Sequence, residues 1–99
     1  MFAVRNYQQG PQRLCAACDE DLLGQEYREG RFRLAVPASF YDGMRVDAGT
    51  LLAHLRSATV ANLVGERTVG LALEHGFIEP GHVLRVEGVP HAQFLVLEE

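Results

Sequence analysis

Lysine is absent from this sequence, so all nine of its Lys/Arg positions are arginine. Arginine presents a planar fork suited to carboxylates, phosphates and base edges, where lysine is a point charge. A GC-rich genome is the plain explanation for such a bias, and on that reading it carries no functional content. A run of about 18 apolar residues, the least that spans a membrane as a helix, is also missing. The opening MFAVRNYQQG places only four mostly apolar residues before Arg5 and Asn6. That is too short for a signal-peptide core and suits a first strand. The expectation is a cytoplasmic protein with no membrane partner.

A second C-x-x-C is lacking. Cys15 and Cys18 form one such pair, and a zinc ribbon needs another pair, or two histidines at set spacing. Asp19, Glu20 and Asp21 follow directly and disfavour the thiolate that a redox site requires. The pair reads as two small apolar residues on a strand, spaced by three and so on opposite faces. Glycine-rich phosphate loops, nucleophile elbows and the paired-histidine zinc motif are missing as well. His54, His75, His82 and His91 show no metal-ligand rhythm, so neither a metal nor a cofactor is expected.

What is present is ordinary for one globular domain over residues 1–99, with 47 % hydrophobic and 22 % charged residues. A net charge of −4 argues against a protein whose main task is coating nucleic acid, and leaves room for a local basic patch.

The first third carries strand patterns. Phe2, Val4 and Tyr7 run to the Gly10-Pro11 turn, and Leu14, Ala16 and Cys18 alternate after it, which predicts a β-hairpin. Asp19 is placed to cap a short turn over Leu22-Leu23-Gly24. Phe32, Leu34 and Val36 share one strand face until Pro37 ends the run. Ser39 to Val46 reads as a turn and an irregular edge. The middle changes period: Asp47 caps a helix carrying Leu51, Leu52 and Leu55 and ending near Ala58. A second helix buries Val69, Ala72 and Leu73 and finishes at Gly76, with Phe77 folding back. Its start is either Thr59 or Asn62, and Asn62 as the cap is preferred. Val83, Leu84 and Val86 form a strand, Glu87 to Pro90 turns, and Gln93 to Leu97 closes the chain as a strand apolar on both faces. Strands, then helices, then strands predict an α+β fold, a mainly antiparallel sheet with two central helices packed on one face.

Three segments are richer in polar groups than folding alone requires. In Cys18-Asp19-Glu20-Asp21-Leu22-Leu23-Gly24 the carboxylates suit a cap, a cation or acid–base work. In Asn62-Leu63-Val64-Gly65-Glu66-Arg67 a helix start with Gly65 offers N–H groups to an anion and Arg67 adds a fork, while Glu66 opposes one. In Gly88-Val89-Pro90-His91-Ala92-Gln93, His91 and Gln93 share a strand face and suit hydrogen bonds to a ligand or an RNA base. Arg28, Arg31 and Arg33, with Tyr27 nearby, form a basic stripe fit for phosphate and stacking contacts.

Taken in order and spacing, these three segments, with Ala58-Thr59-Val60-Ala61 ahead of Asn62 and with Phe40-Tyr41 and Phe77-Ile78, resemble a short archaeal family known as domain of unknown function 424. Asp19, Asn62, Gly65, Glu66, His91 and Gln93 match its recurring polar positions, whereas Cys15 departs from the pattern. The resemblance implies an archaeal cytoplasmic protein with no established reaction and a genomic association with translation genes. The function expected is a non-enzymatic module that binds RNA or a ribonucleoprotein, using Arg28, Arg31 and Arg33 and the His91/Gln93 edge. The alternative is an enzyme or small-ligand binder in which the three motifs converge on one pocket, with Asp19, Glu66 and His91 as the acid–base set.

Overall fold

The computed structural model describes residues 1–97. Strands β1 (Phe2–Gln9) and β2 (Gln12–Asp19) form the expected hairpin around Gly10-Pro11. Gly10 sits at φ 59°, a left-handed conformation that only the lack of a Cβ makes cheap. A 3-10 turn over Glu20–Leu22 leads into a separate hairpin, β3 (Glu26–Glu29) and β4 (Phe32–Ala35). The segment expected to be irregular holds a one-turn helix, α1 (Ala38–Tyr41), and an edge strand, β5 (Met44–Val46).

Helix α2 (Ala48–Ser57) begins as its sequence predicts, the Asp47 carboxylate accepting the Thr50 N–H at 2.8 Å. The preferred Asn62 cap does not exist. Val60–Val64 form strand β6, and helix α3 (Glu66–Glu74) starts beyond Gly65, so neither Thr59 nor Asn62 opens it. The reason is position: β6 lies inside the sheet, parallel to β2, and a strand enclosed by neighbours shows an apolar run rather than alternation. The end of α3 does follow expectation. Gly76 has φ 78°, its N–H donates to Leu73 O, and Phe77 N–H donates to Ala72 O at 2.9 Å, a Schellman closure that stacks Phe77 on Phe94.

A second 3-10 turn (Pro80–His82) precedes β7 (Leu84–Val86), which pairs with β8 (Val89–Leu95) across Glu87-Gly88. Both turn residues have positive φ, 51° and 78°, the pair a two-residue hairpin loop favours. The last strand therefore begins earlier than expected, with Pro90 inside it rather than in the turn.

The main sheet runs β5-β1-β2-β6-β8-β7 with β2–β6 as its parallel pair, so among the described residues the fold is α+β with three α-helices and a mixed, mostly antiparallel sheet. Two buried clusters fill it. One joins Leu51 and Leu55 of α2, Val69 and Ala72 of α3, and Val4, Cys15, Ala17 and Leu63 of the strands. The other joins Ala3, Ala16, Cys18 and Val64 to Leu34 and Val36 of the β3–β4 hairpin and Tyr41 of α1. Cys15 and Cys18 fall in different clusters, as a spacing of three on a strand demands. Among the described residues no helix is long and apolar enough to cross a membrane.

Candidate functional site

The first polar segment and the start of α3 meet. Asp19 is buried, and its Oδ1 accepts the Thr68 N–H and the Thr68 hydroxyl, each at 2.8 Å, while Oδ2 accepts the Arg67 N–H at 3.1 Å. Asp19 therefore caps α3 from the end of β2 and makes no side-chain cap on the adjoining 3-10 turn, contrary to its expected local role. Gly65 is required here: a Cβ would lie 2.4 Å from Asp19 Cγ, and φ is 111°. The helix-start donors that an anion would use are thus taken by the protein's own carboxylate. Glu66 pairs with Arg85, and the Arg67 guanidinium lies 4.8 Å from the Phe2 ring centre.

The other three motif residues lie elsewhere. Val64 belongs to the cluster under the β3–β4 hairpin and pairs with His91, so His91 takes that side of the sheet, and Gln93 and Asn62 follow by alternation. Asn62 and Gln93 are directly opposite in register, and Gln93 Nε2 donates to Asn62 Oδ1 at 2.5 Å. His91 lines a shallow depression with His82, Leu84 and Gln93. Burial holds its imidazole below the usual histidine range, so it is neutral at neutral pH. Asp19, turned into α3, and His91, on the hairpin side, do not face each other.

The hairpin covers only half of this side. Beyond it, Tyr7, Gln9, Gln12, Leu14, Val60 and Leu95 line one depression, and Val60, Asn62, Gln93 and Leu95 line the next. Tyr7 is fixed by its hydroxyl, which donates to Phe40 O at 2.7 Å, and by stacking on Phe40 at 5.3 Å; Arg5 lies 5.2 Å from its ring centre. Leu95 is 61 % exposed, which is much for a leucine within a strand.

This face has an unusual charge content. Strands β1, β2, β6 and β8 contain a single carboxylate, Asp19. It turns with Arg13 to the helix side, where Arg13 Nε donates to Ser57 O, while Arg5 lies on the hairpin side beside Tyr7. Sequence reasoning singled out Asn62, His91 and Gln93 but missed Tyr7, Leu14, Val60 and Leu95. The available signal was the absence of Asp and Glu from residues 1–18, 57–65 and 88–97.

The arginine stripe sits on the β3–β4 hairpin, with Arg28 and Arg33 opposite in register and Arg31 in its turn. Glu26 binds both Arg28 and Arg33, and the Glu87 carboxylate accepts the Arg28 N–H at 2.7 Å, so the stripe is interlaced with acid. Both cysteines are free and buried. Burial pushes the thiols of Cys15 and Cys18 up to about 12, Asp19 adding to the effect on Cys18.

A family model described as "Protein of unknown function (DUF424)" matches residues 7–97. Among solved structures, the chain is similar to an uncharacterized conserved protein from Methanopyrus kandleri, with a TM-score of 0.78 and 24 % identity over 99 % of this chain and 95 % of that one. That likeness concerns the fold. No curated protein matches the chain.

Proposed function

We propose that this chain, which belongs to the DUF424 family, is a non-enzymatic module that binds RNA, free or within a ribonucleoprotein, on the uncovered half of its sheet. The carrying observation is the segregation of charge. Among the described residues, a chain of net charge −4 keeps ten of eleven carboxylates off the four strands that build this face. The eleventh, Asp19, is buried and consumed by α3. A phosphate backbone is repelled by carboxylates and drawn by Arg5, which shares this face with Tyr7. Tyr7, Leu14, Val60 and Leu95 supply a flat apolar floor for bases, and Gln9, Gln12, Asn62 and Gln93 supply amides at their edges.

In this reading α2 and α3 share the opposite side, since their buried residues belong to one cluster, and nothing has to move for RNA to land. Arg28, Arg31 and Arg33 belong to the hairpin, whose Arg28 N–H and Glu29 carboxylate bond Glu87 before the start of β8, so they act on RNA from the other end of that strand than Leu95. The resemblance to an archaeal family associated with translation genes makes ribosomal and transfer RNA the first probes, in a cytoplasmic setting. The convergent-pocket alternative has less support, because the Asp19 carboxylate accepts three hydrogen bonds from the start of α3 and Glu66 is paired with Arg85.

The test is a fluorescence anisotropy titration of a labelled ribosomal RNA fragment with wild type, Val60→Glu and Leu95→Glu, at low and high salt. Wild type should bind with a clear salt dependence, and each variant should lose about tenfold or more in affinity. No binding by wild type, or equal binding by both variants, refutes the reading.

A further inference from the structure

We infer that the Asn62–Gln93 amide pair reads the Watson–Crick edge of one unpaired base, which makes the ligand of this face a single strand; the inference rests on the RNA reading above. An amide side chain carries two N–H donors and one carbonyl acceptor. Once Gln93 Nε2 donates to Asn62 Oδ1, the pair still presents the Asn62 NH2 group and the Gln93 carbonyl. Turning both amides over exchanges these roles but again leaves one donor group beside one acceptor.

Adjacent donor and acceptor are what every nucleobase offers on its Watson–Crick edge: amino and ring nitrogen in adenine and cytosine, ring N–H and carbonyl in guanine and uracil. In a duplex that edge is spent on the partner base, and the deep groove of A-form RNA shuts side chains out. A phosphate presents acceptors alone and engages only half of the pair. The surroundings suit a base rather than a phosphate. Asn62 and Gln93 share a depression of about 380 Å³ with Val60, Phe94 and Leu95, an apolar lining with no charged group. Mutual hydrogen bonding also holds the two amides in place before a ligand arrives, which lowers the ordering cost of binding.

The experiment compares three probes on the full chain: single-stranded RNA, a duplex RNA of equal length, and inorganic polyphosphate. Wild type should prefer the single strand by about tenfold or more over the other two. Asn62→Leu with Gln93→Leu should bring the single strand down to the duplex level while leaving the salt slope unchanged, since no phosphate contact is lost. If that double variant does not fold, Gln93→Ala replaces it, with the same expected direction. RNA binding without preference for the single strand, or a preference that survives in the variants, overturns the amide inference alone. Failure of wild type to bind either RNA overturns the RNA reading and this inference together, and assigns the face to another occupant.

Discussion

Asp19 and Thr68 lie forty-nine positions apart, yet one carboxylate oxygen of Asp19 accepts both the N–H and the hydroxyl of Thr68. The pair ties the last residue of β2 to the first turn of α3, and it dictates glycine at position 65. Asp19→Ala removes a helix cap and leaves the buried Thr68 groups unpaired, a loss of about 2–3 kcal/mol in urea denaturation. Gly65→Ala should cost at least as much, because its Cβ meets the Asp19 carboxylate at 2.4 Å and φ is 111°. A loss within the scatter of ordinary surface substitutions, about 0.5 kcal/mol, would contradict this role.

The two thiols give a pH prediction. Burial raises both to about 12 in the folded chain. A raised folded value means that the protonated form is favoured by folding. The associated stability is complete below the ordinary thiol range, about 8.5, and falls away as pH rises from there toward 12. Native protein should therefore react slowly with a thiol reagent under mildly alkaline conditions and react fully at both positions once unfolded. Rapid labelling of native Cys15 would contradict the buried placement.

Much of the fold was legible in local chemistry. The Gly10-Pro11 hairpin, the Asp47 cap and the Gly76 closure of α3 are set by neighbouring residues, and each formed where its signal stood. What was not legible depends on distant partners. Val60–Val64 is a strand because β2 and β8 flank it, and its short apolar run does not distinguish strand from helix. Asn62 has a helix-capping residue type but sits mid-strand, while the true cap of α3 arrives from Asp19 across the fold. The candidate site was half legible for the same reason: residue types pointed to Asn62, His91 and Gln93, but only the register reveals that Tyr7, Leu14, Val60 and Leu95 join their face.

The hairpin arginines offer a graded comparison. Arg33 and Arg28 already share Glu26, and Arg33 donates from Nε at 2.5 Å. Arg31→Glu with Arg33→Glu should lower RNA affinity and flatten its salt dependence, yet by less than Val60→Glu, which places a carboxylate in the floor itself. Anisotropy titrations of both variants against one RNA fragment decide the order. A larger effect from the hairpin would move the main contact surface to β3–β4.

The central claim is that RNA lies on the uncovered half of the sheet. A backbone amide chemical-shift titration of isotope-labelled protein with a short single-stranded RNA maps that surface residue by residue. The account predicts shifts concentrated on Arg5 to Leu14, Val60 to Asn62 and His91 to Leu95, with α3 unaffected beyond its first turn. No shifts at saturating RNA, or shifts centred on α2 and α3, would contradict it.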